Sequence, residues 1–234
     1  MFSGNVAAGP PLITDDPGTP GDGRWEINLA FTLEQTRDER SFEAPLLDIN
    51  YGVGERTQLK FEVPWAVLDD RDGGIKSGTG KPQVGIKYRF LDEDRHGASV
   101  SIYPQLELNN PRSSDERGLV DEGMRFKLPV QVARSVGPFG AYVEVGYEFI
   151  EADTDEWSYG FALGYPVNDR LELLAEVAGT ATHTFDDNEL VFNFGAKVGI
   201  ADSFNLLLSA GRSFRESSSG EPELLVYLGL QLLY

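Results

Sequence analysis

The chain has 234 residues, with 38 acidic against 20 basic side chains, no cysteine and two histidines, for a formal net charge of −18. That balance argues against nucleic acid as a partner, because phosphate contacts need clustered Lys and Arg, and the lack of cysteine excludes disulfides and thiolate metal sites. No run approaches the ~18–20 apolar residues of a spanning helix, which leaves room for a barrel whose lipid face uses only alternate residues.

The first segment, Met1 to Gly23, contains no apolar signal core of ~7–15 residues. An exported chain is therefore expected to have lost its signal peptide, with Met1 put in its place. "GPPLITDDPGTPGDG", residues 9–23, is too rich in Pro and Gly for a strand interior and reads as an extended periplasmic leader. Residues 1–23 are expected to form this leader and residues 24–234 the folded body. At ~3.3 Å per residue the stretch from Pro11 to Gly23 can reach well up a lumen. There Asp15 and Asp16 would find Lys60, Lys87 and Arg89, so the leader is expected to act as a lumen plug rather than hang free.

After Gly23 one pattern repeats. Trp25, Ile27, Leu29, Phe31 and Leu33 alternate with Glu26, Asn28, Ala30, Thr32 and Glu34. The same period of two recurs from Leu47 to Val53, Leu59 to Val67, Val84 to Phe90, Val100 to Leu108 and Met124 to Val132. It continues from Phe139 to Phe149, Trp157 to Tyr165, Leu171 to Val177, Leu190 to Val198, Phe204 to Ala210 and Leu224 to Tyr234. Period two is the mark of a strand with one apolar face, and twelve such strands follow one another with no helical period between them. Pro64, Pro104 and Pro129 fall inside strands, so a bulge or kink is expected beside each.

The connections alternate too. "GVGER", "LDEDRHG", "SVGP", "PVND" and "IADS" are short; "QTRDERS", "DDRDGGIKSGTG", "NNPRSSDERGLVDEG", "EADTDE", "TATHTFDDNE" and "RESSSGEPE" are mostly longer and acidic. Strands that run up and down in order put every short turn at one end, together with both termini. Trp25, Tyr51, Phe90, Phe139, Tyr165, Phe204 and Tyr234 lie on the apolar face near that end, and Phe31, Trp65, Phe149, Trp157 and Phe192 near the other. Two aromatic belts around an aliphatic band match the headgroup levels of a bilayer. The expected fold is therefore all-β: a twelve-stranded antiparallel up-and-down transmembrane β-barrel in the bacterial outer membrane, in contact with its lipid.

The opposite face carries Gly140, Gly146, Gly160, Gly164, Gly195, Gly211 and Gly229 together with charges, which suits a lumen. Twelve strands at ~4.8 Å spacing and ~40° tilt give a backbone diameter of roughly 24 Å and a bore of roughly 10 Å. Lys60, Glu62, Lys87, Arg89, Glu107, Arg125, Lys127, Glu144, Glu148, Glu172 and Glu176 are expected to line it. Glu107, Arg125 and Glu148 should pair across successive strands and Glu62 with Lys87, leaving Lys60, Arg89, Glu172 and Glu176 freer to meet a solute. His96 and His183 read as ordinary loop histidines with no serine placed to make a catalytic set, so no enzyme activity, cofactor or metal site is expected.

"PLITDDPGTPGDGRWEINLAF", residues 11–31, and "PLLDINYGVGERTQLKFEVPW", residues 45–65, resemble the transporter-like outer-membrane barrels named for the meta-pathway of phenol degradation. The resemblance implies passage of small compounds, aromatic ones included, and no catalytic residues. Tyr234 at the end of the last strand resembles the C-terminal aromatic signal read by the barrel-assembly machinery. A channel or transporter for small solutes is thus the expected function, and a structural or adhesion-type surface barrel with a closed lumen the alternative.

Overall fold

In a computed structural model, residues 9–71, 73–109, 111–214 and 221–234 are described. Twelve strands form the wall. They are β1 (Trp25–Gln35), β2 (Glu39–Val53), β3 (Thr57–Asp70), β4 in two pieces (Gly74–Thr79 and Gln83–Leu91) and β5 in two pieces (Ser99–Ile102 and Gln105–Glu107). They continue with β6 (Arg125–Val136), β7 (Phe139–Ile150), β8 (Glu156–Asn168), β9 (Leu171–Thr182), β10 (Asn188–Ala201), β11 (Phe204–Ser213) and β12 (Leu224–Leu233). Two four-residue helices, α1 (Glu93–His96) and α2 (Arg112–Asp115), lie in connections. Neighbours in sequence are antiparallel neighbours in the sheet, and β1 pairs with β12 from Glu26↔Leu233 to Gln35↔Leu224. The seam is finished by Trp25 and Tyr234, each of which donates its backbone N–H to the other's carbonyl, at 2.7 and 2.9 Å. Closure matters because lipid cannot hydrogen-bond a free strand edge.

The wall's two faces differ as the alternation predicts. Outward side chains such as Leu29, Phe61, Ile86, Val145, Phe161 and Leu230 are exposed, while Asn28, Lys87, Gln131, Glu144 and Asn193 on the inner face are buried. Aromatic pairs mark the two ends of the band. Trp25–Tyr51 (4.5 Å between ring centres) and Phe139–Tyr165 (5.3 Å) sit at the short-turn end, and Tyr147–Trp157 (4.9 Å) and Phe192–Phe214 (5.0 Å) at the other.

The strand prolines meet the ladder in a way the sequence only half predicts. A strand residue points its N–H and C=O to the same side, and Pro64 accepts Gly80 N–H, so its missing donor faces the break in β4 at Gly80–Pro82. Pro129 accepts from Tyr103 N–H and faces the break in β5 at Tyr103–Pro104. Pro104 and Pro129 thus share one interruption, and the β6–β7 register runs through Pro129↔Gly146 without a bulge.

One loop is corrected. "DDRDGGIKSGTG" is mostly ladder, with Asp70↔Gly74 through Trp65↔Thr79 extending β3 and β4 as a hairpin beyond the bilayer. Above the lipid both faces meet water, so the backbone pairs without any apolar alternation to announce it. The β5–β6 connection folds back against this hairpin: Ser114 Oγ donates to Thr79 O at 2.6 Å, and Arg117 Nη1 to Ser77 O at 3.1 Å. The outer loop before β12 includes residues 215–220, which lie outside the described residues, as do residues 1–8 of the leader.

Candidate functional site: the lumen and its leader

The lumen charges are mostly satisfied by one another. Lys60 Nζ lies 2.8 Å from Glu62 and 3.7 Å from Asp48, and Lys81 Nζ 3.0 Å from Glu107. Arg125 Nη1 is 3.1 Å from Glu148, and Lys127 Nζ is 3.0 Å from Glu144 and 3.8 Å from Glu148. Gln131 Nε2 adds a hydrogen bond to Glu144 at 2.8 Å. Arg89 pairs with Asp92 at 3.0 Å and donates to Glu55 O, at the periplasmic rim. Charges that cannot face lipid are neutralised pairwise across a low-dielectric wall.

Two expectations about these charges are corrected. Glu62 does not meet Lys87: the β3–β4 stagger sets Glu62 opposite Gln83 and Lys87 opposite Gln58. Lys60, Arg89 and Glu176 are not free for solute, since all three have protein partners. Glu172 differs, its Oε1 being buried with no partner among the described residues. Glu107, Arg125 and Glu148 do lie on successive strands, with Glu107 directly opposite Arg125.

Lys87 and Glu176 are engaged by the leader. Gly9 to Thr14 make a tight turn, with Gly9 N–H donating to Thr14 O and Leu12 N–H to Gly9 O. Glu176 accepts the backbone N–H of Ile13 on one carboxylate oxygen and that of Thr14 on the other, both at 2.8 Å, and also Asn193 Nδ2. Ser209 Oγ donates to Pro11 O at 2.7 Å. Leu12 is buried with Tyr142, Ala162 and Leu174. Across the lumen, Lys87 Nζ sits 2.8 Å from Asp15 Oδ2, donates to Asp16 O at 2.6 Å, and lies 4.7 Å from the centre of the Tyr103 ring. β4 and β9 are five strands apart around the ring, so residues 9–16 bridge nearly opposite walls.

Only Asp15 of the two leader aspartates meets a lysine through its side chain; the Asp16 carboxylate turns back to accept Gly18 N–H. Burial opposes ionisation of Asp15, but the Lys87 ammonium outweighs it and holds the carboxyl below the usual range. Burial pushes Asp16 up to about 6, against the pull of Lys87 and with the help of Asp15.

The wall is cut to receive the leader at glycines. A Cβ on Gly52 would stand 1.8 Å from Gly21 O, one on Gly160 2.2 Å from Thr14 Oγ1, and one on Gly195 3.3 Å from Pro11 Cγ. The glycine-rich lumen face was legible in sequence, but its use as a seat was not. Missed as well were the neutral partners Asn28, Gln58, Tyr103 and Asn193, whose inward placement the alternation nevertheless carries. His96, in the β4–β5 turn, and His183, in the β9–β10 turn, lie at opposite ends of the barrel and share no site.

Above the leader opens a cavity of about 780 Å³. Pro11, Leu12 and Ile13 form its floor, the outer ends of β1 to β3 much of its wall, and residues 118–121 of the β5–β6 connection one side.

A closed antiparallel wall with an apolar outer band, two aromatic girdles, a polar lumen and short turns at the end holding both strand termini defines an outer-membrane β-barrel. More narrowly, the family model described as "Putative MetA-pathway of phenol degradation" matches residues 11–224, and the chain belongs to that family. No curated protein sequence matches it. In fold it is similar to the crystal structure of an outer membrane channel from Pseudomonas putida F1, with a TM-score of 0.73, 14% identity and 100% of both chains covered. It is also similar to the NanC porin (TM-score 0.64, 8% identity, 88% of this chain and 98% of that one). A third similar structure is the CymD monoaromatic hydrocarbon channel (TM-score 0.53, 8% identity, 91% of this chain and 88% of that one).

Proposed function

We propose that this barrel is an outer-membrane channel for small organic solutes, aromatic compounds among them, with residues 9–23 as a docked plug that sets its conductance. The observation that carries the reading is the leader itself, held by Glu176 and Lys87 from nearly opposite walls beneath a cavity large enough for a single-ring compound. A purely structural wall has no need of a sequence-specific segment inside it. Membership of a family described by phenol degradation, and a fold shared with a monoaromatic hydrocarbon channel, support aromatic solutes. The paired lumen charges and the separated histidines support passage without catalysis.

Planar-bilayer conductance and liposome swelling with the refolded full chain test the proposal. Discrete conductance steps and faster swelling in phenol or catechol than in a disaccharide are expected. A barrel that folds but gives neither, with or without its leader, is a closed structural barrel instead.

A further inference from the structure

We infer that the outward-facing cavity above the leader is a binding site for organic cations, protonated amines with a compact apolar body. The inference deepens the channel reading and rests on it, but it concerns what the cavity holds rather than whether anything passes.

Six carboxylates line this cavity, Glu34, Glu39, Glu43, Glu62, Glu107 and Asp121, against two cations, Lys81 and Arg125. Both cations are already committed, Lys81 to Glu107 and Arg125 to Glu148, and Glu62 is matched by Lys60. Glu43 has only a hydroxyl partner, Thr32 Oγ1 at 3.1 Å. Glu34, Glu39 and Asp121 have no cation at ion-pair distance among the described residues, although they come from β1, β2 and the β5–β6 connection to face one space. Three separate elements thus bring uncompensated negative charge to a partly enclosed volume, where field lines concentrate and counter-charge gathers.

A second feature points to a hydrogen-bond donor. Asn193 lines the same cavity and is 3% exposed; its Nδ2 donates to Glu176, while its Oδ1 has no partner among the described residues. A buried acceptor left unpaired costs stability unless something donates to it, and an ammonium brings three donors.

The remaining surface is apolar. Ile13 on the leader turn is 53% exposed, within a lumen where most side chains are polar, and Leu12, Leu119, Val226 and Leu33 join it around the cavity. A hydrated inorganic ion gains nothing from such a surface, whereas an amine with a ring or short alkyl body covers it. Charge and apolar area together select an organic cation over a neutral compound of the same shape, and over an anion more strongly still.

Equilibrium dialysis of the full chain in non-ionic detergent, against a detergent-only control at about 0.15 M salt, tests this with phenethylammonium, phenethyl alcohol and phenylacetate. The ammonium should bind roughly tenfold or more tightly than the alcohol, the discrimination of about one well-placed charge interaction, and phenylacetate should not bind. The combined variant Glu34→Gln, Glu39→Gln and Asp121→Asn should bring ammonium and alcohol to within about threefold of each other, again near the scale of a lost charge interaction. If that variant does not fold, judged by its heat-modifiable gel shift, Asp121→Asn alone should lower the preference. A control with the same charge change in exposed loops, Glu116→Gln, Asp153→Asn and Asp186→Asn, should keep the full preference. Equal binding of alcohol and ammonium overturns the site, as does equal loss in the control, which would assign the effect to the general field of the outer face. Binding does not depend on conductance, so a barrel that binds the amine but conducts nothing sinks the channel reading while the site stands.

Discussion

Glu176 holds Thr14 by the backbone: its Oε2 accepts the Thr14 N–H at 2.8 Å, while Oε1 takes the N–H of Ile13 next to it. Two adjacent amides on one carboxylate fix the turn of the leader irrespective of its side chains. Hydrogen bonds to an ionised acceptor contribute about 1.5–3 kcal/mol each, against about 1 for neutral ones. Glu176→Gln keeps the shape, leaves only one amide oxygen to accept, and is expected to weaken docking by about 2 kcal/mol. The undocked fraction should rise on the order of tenfold, read as longer or larger open events in single-channel records. Unaltered records for Glu176→Gln would mean that this contact does not hold the gate.

Removal of the whole segment should have a larger effect. Deleting residues 1–21 leaves every strand pair intact, since β1 begins at Trp25. The barrel is expected to fold with its usual heat-modifiable shift and to conduct more, or swell liposomes faster, than the full chain. Unchanged conductance in the deletion would reduce the leader to a tail.

The glycine seats allow a test by addition. Gly160→Ala places a methyl where Thr14 Oγ1 now lies, 2.2 Å from the new Cβ, with Thr14 Cβ and Cγ2 within 3.3 Å. The closed β7–β8–β9 ladder cannot yield as easily as a short turn, so the leader should move and the leak increase. Thr14→Gly in the same chain takes away the colliding atoms and should restore the original conductance. A leak that persists in the double variant would place the damage in the wall.

Docking should also depend on pH through Asp16. Burial raises its carboxyl to about 6 in the docked leader, against about 3.9 in a free chain. A raised pKa means that the docked state binds the proton more tightly. Its contribution to docking is therefore fully present below about 3.9 and is lost as pH rises through about 6. Asp15 works in the opposite sense, its lowered carboxyl favouring docking above about 3.9 and losing effect only in stronger acid. From about pH 4.5 to about pH 7.5 Asp16 dominates, and open probability should climb as the pH is raised. Asp16→Asn should flatten that slope; a slope unchanged by the substitution would assign it to other lumen carboxylates.

Selectivity follows from the outer face. The acidic connections gather cations at the mouth and repel anions, over a Debye length of about 8 Å at physiological salt. Reversal potentials under a KCl gradient should show K⁺ preferred to Cl⁻, with the preference shrinking toward about 1 M salt. Anion preference at low salt would contradict this.

Much of the molecule is written locally in the chain. From Trp25 to Leu33, and again in each later segment, alternate side chains are apolar because successive residues of a pleated strand face opposite sides and only one side meets lipid. That is a rule of neighbouring residues, and it carries strand number, wall, girdles and the inward placement of Lys60, Glu107 or Glu176. Which inward charges meet is another matter. Sliding β4 two residues along β3 keeps every apolar side chain on the lipid face, so the pattern is silent on whether Glu62 stands opposite Lys87 or, as it does, opposite Gln83. The stagger of a closed barrel sets that choice, and it belongs to the ring as a whole. The leader's seat is likewise tertiary: Gly160, Glu176, Ser209 and Lys87 are far apart in sequence and become one receptor only when the wall closes around residues 9–16.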